Sequence, residues 1–143
     1  MAMSADDAAE AIRASGLRLS AARRLVLEAL YRANSPVKAE EIAGGLDGLL
    51  PRSDLASVYR NLETLEHLGL VRHVHLGHGP GRYEPATQPR DYLVCEHCES
   101  VVSVPAGHLD EARRTIEAAT GFRPRFDHFP LTGMCAGCSD HRA

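Results

Sequence analysis

Residues 53–69, SDLASVYRNLETLEHLG, and residues 70–85, LVRHVHLGHGPGRYEP, decide the fold through a change of period between them. Leu55, Val58, Leu62 and Leu65 recur at helical spacing behind Ser53, which predicts a helix capped by that serine and ended by Gly69. From Val71 the pattern alternates through Arg72, His73, Val74, His75 and Leu76, turns at residues 77–81 and returns at 82–85, as a β-hairpin does. Upstream, Ser20 caps a helix whose apolar face is Ala22, Leu25, Val26, Ala29 and Leu30; Ala8, Ala9 and Ile12 mark a shorter one before it. A proline start at Pro36, acids at Glu40 and Glu41 and a Gly44–Gly45 stop outline a third, short helix between Ser35 and Leu46, followed by a turn-rich stretch to Arg52. Helix, helix, recognition-type helix and hairpin is the winged-helix order.

Downstream the character changes. Residues 86–89 lack periodicity and contain Pro89, so residues 1–85 are read as a DNA-binding domain, 86–90 as a hinge and 91–143 as a second domain. Tyr92–Cys95 and Val101–Val104 flank a CxxC knuckle as short strands. A helix with Leu109, Ala112, Ile116 and Ala119 on one face follows, then partial alternation from Phe122 to Leu131, then a second CxxC. The fold class expected is α+β: an N-terminal winged helix-turn-helix domain and a small α/β unit too small to hold much core, which needs a staple and a partner.

The 143 residues are 44% hydrophobic and 24% charged, enough for one core or two small ones, and their apolar runs are far shorter than the roughly 20 residues of a membrane helix. Acids among residues 1–10, where a signal peptide is basic, point to a cytoplasmic protein with no membrane part. The net charge of -3 gives no global argument for nucleic acid, so that case rests on local motifs.

The four cysteines form two CxxC pairs, Cys95 with Cys98 and Cys135 with Cys138, with none left over. Two such knuckles bring four thiolates to one tetrahedral zinc, while the gap between them holds a strand, a helix and a strand. A redox dithiol and unrelated buried cysteines are the competing readings. His97 and Glu99 form an HxE tripeptide, but Met134 rather than Pro precedes Cys135, which argues against a zinc deaminase, and four thiolates leave no open catalytic position. No enzyme is expected.

On the helix behind Ser53, the apolar stripe leaves Ser57, Arg60 and Thr64 opposite it, with Tyr59 alongside. An arginine there grips guanine or phosphate; a tyrosine ring packs on a thymine methyl while its hydroxyl reaches the backbone. A solvated arginine and a core-edge tyrosine are the bland alternative. Arg18, Arg23, Arg24, Arg72 and Arg82 are further candidate phosphate contacts.

With GLRLSAARRLVLEAL, SVYRNLETLEHLGLV, YLVCEHC and the terminal CAGC in this order, the sequence resembles the ferric uptake regulator family of bacterial metal-responsive repressors. The resemblance implies a homodimer that binds a double-stranded palindromic operator, with dimerisation through the C-terminal domain and regulatory metal near the hinge. It implies DNA contacts at Tyr59, Arg60 and Arg18 and a structural zinc on Cys95, Cys98, Cys135 and Cys138. The usual histidine-rich run before LVC is replaced by Gln88, Pro89, Arg90, Asp91 and Tyr92, and another family histidine by Pro36; Glu84, Asp91, Asp110 and His128 survive. Arg90 cannot ligate a cation. The HVHLGHG segment looks most like the nickel-responsive branch, which implies a regulatory site at His73, His75 and His128. His73 and His75, two apart on a strand, lie about 7 Å apart, and imidazole suits Ni2+ or Zn2+. The rival readings are a member whose regulatory site is degenerate, and so metal-independent or redox-responsive, and a zinc-stapled interaction module that never touches DNA.

Overall fold

The structure is a computed structural model that describes residues 3–33, 35–77, 79–86, 90–105, 107–126 and 129–139. His78 and His128 therefore lie outside the described residues. The chain divides into two compact units, one drawn from residues 1–74 and 80–88 and the other from 75–79 and 89–143.

The first unit opens with α1 (Ala5–Ala14), held by a capping box in which Ser4 and Asp7 each take the other's backbone N–H. Ser20 caps α2 (Ala21–Arg32) by accepting from the Arg23 N–H, as expected. The third helix, α3 (Ala39–Ala43), is only five residues long. The chain leaves it through Gly44 and Gly45, and Leu46 and Asp47 then adopt left-handed φ of 48° and 56°. A Cβ on Gly45 would stand 2.3 Å from the Leu50 carbonyl oxygen, so the turn closes only over a glycine.

The recognition-type helix α4 (Leu55–His67) is capped not by Ser53 but by Asp54, whose carboxylate accepts from the Ser57 N–H at 2.9 Å. A charged acceptor at this end also meets the positive pole of the helix dipole. Val58, Leu62 and Leu65 are buried, whereas Leu55, the fourth member of the expected stripe, is 39% exposed. With Ile12, Val26, Leu27, Leu30, Ile42 and Val71 they form the core. Each such aliphatic side chain contributes about 1.5–3 kcal/mol on full burial.

Strands β1 (Val71–Val74) and β2 (Arg82–Pro85) form the antiparallel hairpin, with His73 opposite Tyr83 and Arg72 opposite Glu84. β1 is two residues shorter than its alternation predicts: His75 and Leu76 leave the ladder. Val37 and Tyr83 exchange backbone hydrogen bonds of 2.9 and 2.7 Å, tying the segment before α3 to the hairpin.

The second unit contains β3 (Asp91–Cys95), β4 (Val101–Val104), α5 (Asp110–Thr120), β5 (Leu131–Gly133) and α6 (Ala136–Ser139). Its sheet has the order β4-β3-β5, antiparallel between β3 and β4 and parallel between β3 and β5. The alternation expected from Phe122 yields no strand among the described residues before Leu131. Tyr92, Val94 and Cys95 are its buried apolar residues, and α5 buries none of its described residues. Val102 at 55% and Phe122 at 75% remain exposed, so little of this unit's stability derives from its own core. Among the described residues no helix is long and apolar enough to cross a membrane.

Candidate metal centre and nucleic-acid interface

Parallel pairing sets Cys95 opposite Gly133, which carries the strand end at Met134–Cys135 to the first knuckle. The Glu96 N–H donates to the Gly133 carbonyl at 2.8 Å, and the Cys135 N–H donates to the Cys95 Sγ at 3.4 Å. The first knuckle turns back through hydrogen bonds from Cys95 to Ser100 and from Glu99 to Cys95, with Glu99 at a left-handed φ of 61°. The four Sγ atoms lie within 4.8 Å of one another, and Cys98 and Cys135 are 3.7 Å apart without a disulfide. Four sulfurs about 2.3 Å from a tetrahedral zinc stand about 3.8 Å apart, so the donor set and its spacing fit that ion.

Backbone N–H groups of Cys98, then Cys135, pull the Cys95 thiol down to about 6, while a hydrogen bond with the Cys135 sulfur and burial push Cys138 up to about 12. Four crowded sulfurs do not all ionise unaided. A bound dication would supply the charge that makes all four thiolates, and a closed set of four would leave it a structural role.

The other predicted ligands are placed differently. The Asp91 carboxylate, 8% exposed, accepts from Arg113 at 2.8 Å, and the same guanidinium bonds Asp110 at 2.9 Å and lies over the Phe126 ring. Glu84, 5% exposed, is held by Arg72 directly across the hairpin. The His73 ring stacks on Tyr83 at 4.7 Å and covers Gly81, where any Cβ would strike it. His75 belongs to the second unit and stacks on Phe129 at 6.0 Å. Among the described residues, the cysteines are the only group of three or more metal-ligating side chains close enough to share an ion. Arg113 went unremarked in the sequence; its spacing of three from Asp110 on a helix was the available signal.

On α4, Arg60 is exposed, as are Arg18 and Arg24 ahead of it. Arg23 is committed internally: it donates to the Asn61 side-chain oxygen at 3.1 Å and to the Arg18 carbonyl at 2.6 Å. Asn61 in turn donates to the Ser57 carbonyl at 3.0 Å. The loop that carries Arg18 is thereby pinned to the helix that carries Ser57 and Arg60. Thr64 turns its hydroxyl back onto the Arg60 carbonyl at 3.0 Å, and Tyr59, 39% exposed, donates its hydroxyl to Glu40 at 2.9 Å.

Burial raises the Tyr83 phenol, and Glu66, Glu40 and Glu63 raise it further, so acidic side chains of α3 and α4 surround Tyr83.

The comparisons with known proteins agree with this geometry. The Peroxide operon regulator of Bacillus subtilis is 29% identical over 133 residues, covering 93% of this chain and 92% of that protein. The peroxide-responsive repressor PerR of Staphylococcus saprophyticus is 25% identical over 94% of this chain and 91% of its own. The Vibrio cholerae ferric uptake regulator superposes with a TM-score of 0.68 at 29% identity, covering 88% of this chain and 98% of that one. The Helicobacter pylori ferric uptake regulator, described as having three functional metal binding sites, gives 0.75 over 100% and 99% at 20% identity, a likeness of fold. These relatives are regulators and repressors, not enzymes. The Ferric uptake regulator family model matches residues 14–128, and the chain belongs to that family.

Proposed function

We propose that the protein is a cytoplasmic transcriptional repressor that binds a palindromic operator as a homodimer, with structural zinc on Cys95, Cys98, Cys135 and Cys138 and a second divalent cation, Ni2+ or Zn2+, as co-repressor. Residues 1–85 carry the DNA-binding surface, 86–90 the hinge and 91–143 the dimer contact. Arg60, Ser57, Tyr59 and Arg18 meet the duplex, with Thr64 at the edge of the footprint. His73, His75 and His128 take the co-repressor, and Glu84, Asp91 and Asp110 are secondary ligands.

The observation that carries the DNA-binding part is the exposed Arg60 on α4, a helix that Arg23 ties through Asn61 to the carbonyl of Arg18. Exposed apolar residues on β4 and at the end of α5, Val101, Val102 and Phe122, support a second copy against the second unit. An ion acts as co-repressor only by binding the DNA-competent dimer more tightly; a hundredfold preference biases the equilibrium by about 2.7 kcal/mol.

One observation favours the second reading, a regulator without metal sensing. Arg113 already neutralises Asp91 and Asp110, and Arg72 neutralises Glu84, so guanidinium groups occupy three of the carboxylates a cation would use. The imidazoles then decide. Replacing His73 and His75 together with Ala is expected to abolish ion-stimulated operator binding while one zinc per chain remains, read by anisotropy of labelled DNA and by metal analysis. A full response in the double variant moves sensing elsewhere.

A further inference from the structure

Glu40 lies on the first turn of α3 and Tyr59 on α4, nineteen positions apart, and the Tyr59 hydroxyl donates to the Glu40 Oε1 at 2.9 Å. A phenol has one proton to give. Once that proton is committed to the Glu40 carboxylate, the oxygen has only lone pairs left to offer. Those lone pairs, with the Glu40 charge beside them, repel phosphate oxygens rather than bind them. The exposed part of Tyr59 is therefore of use to DNA as an apolar ring face, and the side chain has lost the freedom to swing about its χ angles.

We propose that Glu40 is a positioning residue for operator recognition: it anchors the Tyr59 hydroxyl, so that the ring is presented as an apolar contact for a thymine methyl instead of as a hydrogen-bond donor to the phosphate backbone. This rests on the reading of α4 as the recognition helix. It departs from the sequence expectation that the hydroxyl reaches the DNA backbone. Glu63, four positions after Tyr59 on α4, lies on the same helix face and adds a second carboxylate to that flank, where backbone phosphates are disfavoured.

The test uses the full zinc-loaded chain, a duplex selected from random sequence by the wild-type protein, and copies in which each thymine is replaced in turn by uracil, which lacks only the methyl. At the position under Tyr59, wild type is expected to lose about fourfold in affinity, the factor that corresponds to one buried methyl group. Glu40→Ala is expected to bring this thymine-to-uracil ratio to about one, because the untethered ring no longer holds its place. Glu40→Gln keeps an acceptor for the hydroxyl and is expected to restore the ratio. Tyr59→Phe, which removes the tethered hydroxyl, is expected to bring the ratio to about one as Glu40→Ala does, and adding Glu40→Ala to it is expected to change the ratio no further. Thermal midpoints of all variants should match wild type, as Glu40 and Tyr59 are exposed.

An unchanged ratio in Glu40→Ala overturns the proposal, and so does a wild type that is indifferent to uracil at every position. A tenfold loss in Tyr59→Phe overturns it too, by making the hydroxyl itself a DNA contact. Arg60→Ala separates these failures from that of the underlying reading: if Arg60→Ala binds the selected duplex like wild type, α4 is not the recognition helix. If Arg60→Ala is defective while Glu40→Ala keeps full discrimination, only the role of Glu40 is wrong.

Discussion

Removal of zinc from the full chain, or the substitution Cys95→Ser, is expected to unfold the second unit and to leave the first intact. The asymmetry follows from burial. The first unit is built around a continuous cluster that includes Ile12, Leu27, Leu30, Ile42, Leu62 and Leu65, all at most 2% exposed. The second unit buries Tyr92, Val94 and Cys95 and leaves Leu93, Val102 and Phe122 in water. A structural zinc contributes about 10–16 kcal/mol in small metal-folded domains. That equals or exceeds the whole stability of a typical domain, about 5–15 kcal/mol. Loss of one thiolate also frees the parallel contact between β3 and β5, since Cys95 binds the Cys135 N–H through its sulfur. Hydrogen exchange should then show amide protection lost across 91–139 and retained in α2 and α4, and sedimentation should show monomers. A zinc-free chain that stays a folded dimer would contradict the structural role.

Arg60→Ala has the second largest expected effect. A bidentate arginine–base contact is worth about 1–3 kcal/mol, and a two-fold complex contains it twice, so operator affinity is expected to fall by about 2–6 kcal/mol per dimer. Lysine should not rescue it, because an ammonium cannot form the planar pair. The folded state should be indifferent: Arg60 is exposed and only its carbonyl is used locally, by Thr64. Anisotropy with a selected duplex over a salt series distinguishes base contact from phosphate contact, since loss of a phosphate contact also lowers the salt slope.

What the sequence made legible was whatever depends on neighbours along the chain. The stripe Val58, Leu62, Leu65 predicted α4 because a helix brings those positions to one face, and the two CxxC pairs announced a metal cluster because each knuckle is local. Legibility failed where distant residues decide. The glycine stop of α3 was legible, but Leu46 and Asp47 beyond it are left-handed, a conformation no propensity foretells. Asp54 rather than Ser53 caps α4, though both residue types favour that role, and the Ser53 hydroxyl is instead buried. No sequence pattern showed that Arg113, 22 residues beyond Asp91, bonds both Asp91 and Asp110. The parallel pairing of β3 with β5, which assembles the four sulfurs, joins segments almost 40 residues apart. Arg23 looked like a phosphate contact, yet it is spent on holding Asn61 and the Arg18 carbonyl.

Control of DNA binding by a second cation is most directly tested by titrating a labelled operator duplex with the zinc-loaded wild-type chain, with and without saturating Ni2+ and, separately, excess Zn2+. The account predicts that one of these ions tightens binding about a hundredfold, in line with a bias of about 2.7 kcal/mol. Equal affinity in all three conditions would contradict it and leave a regulator whose acidic sites are already filled by its own arginines.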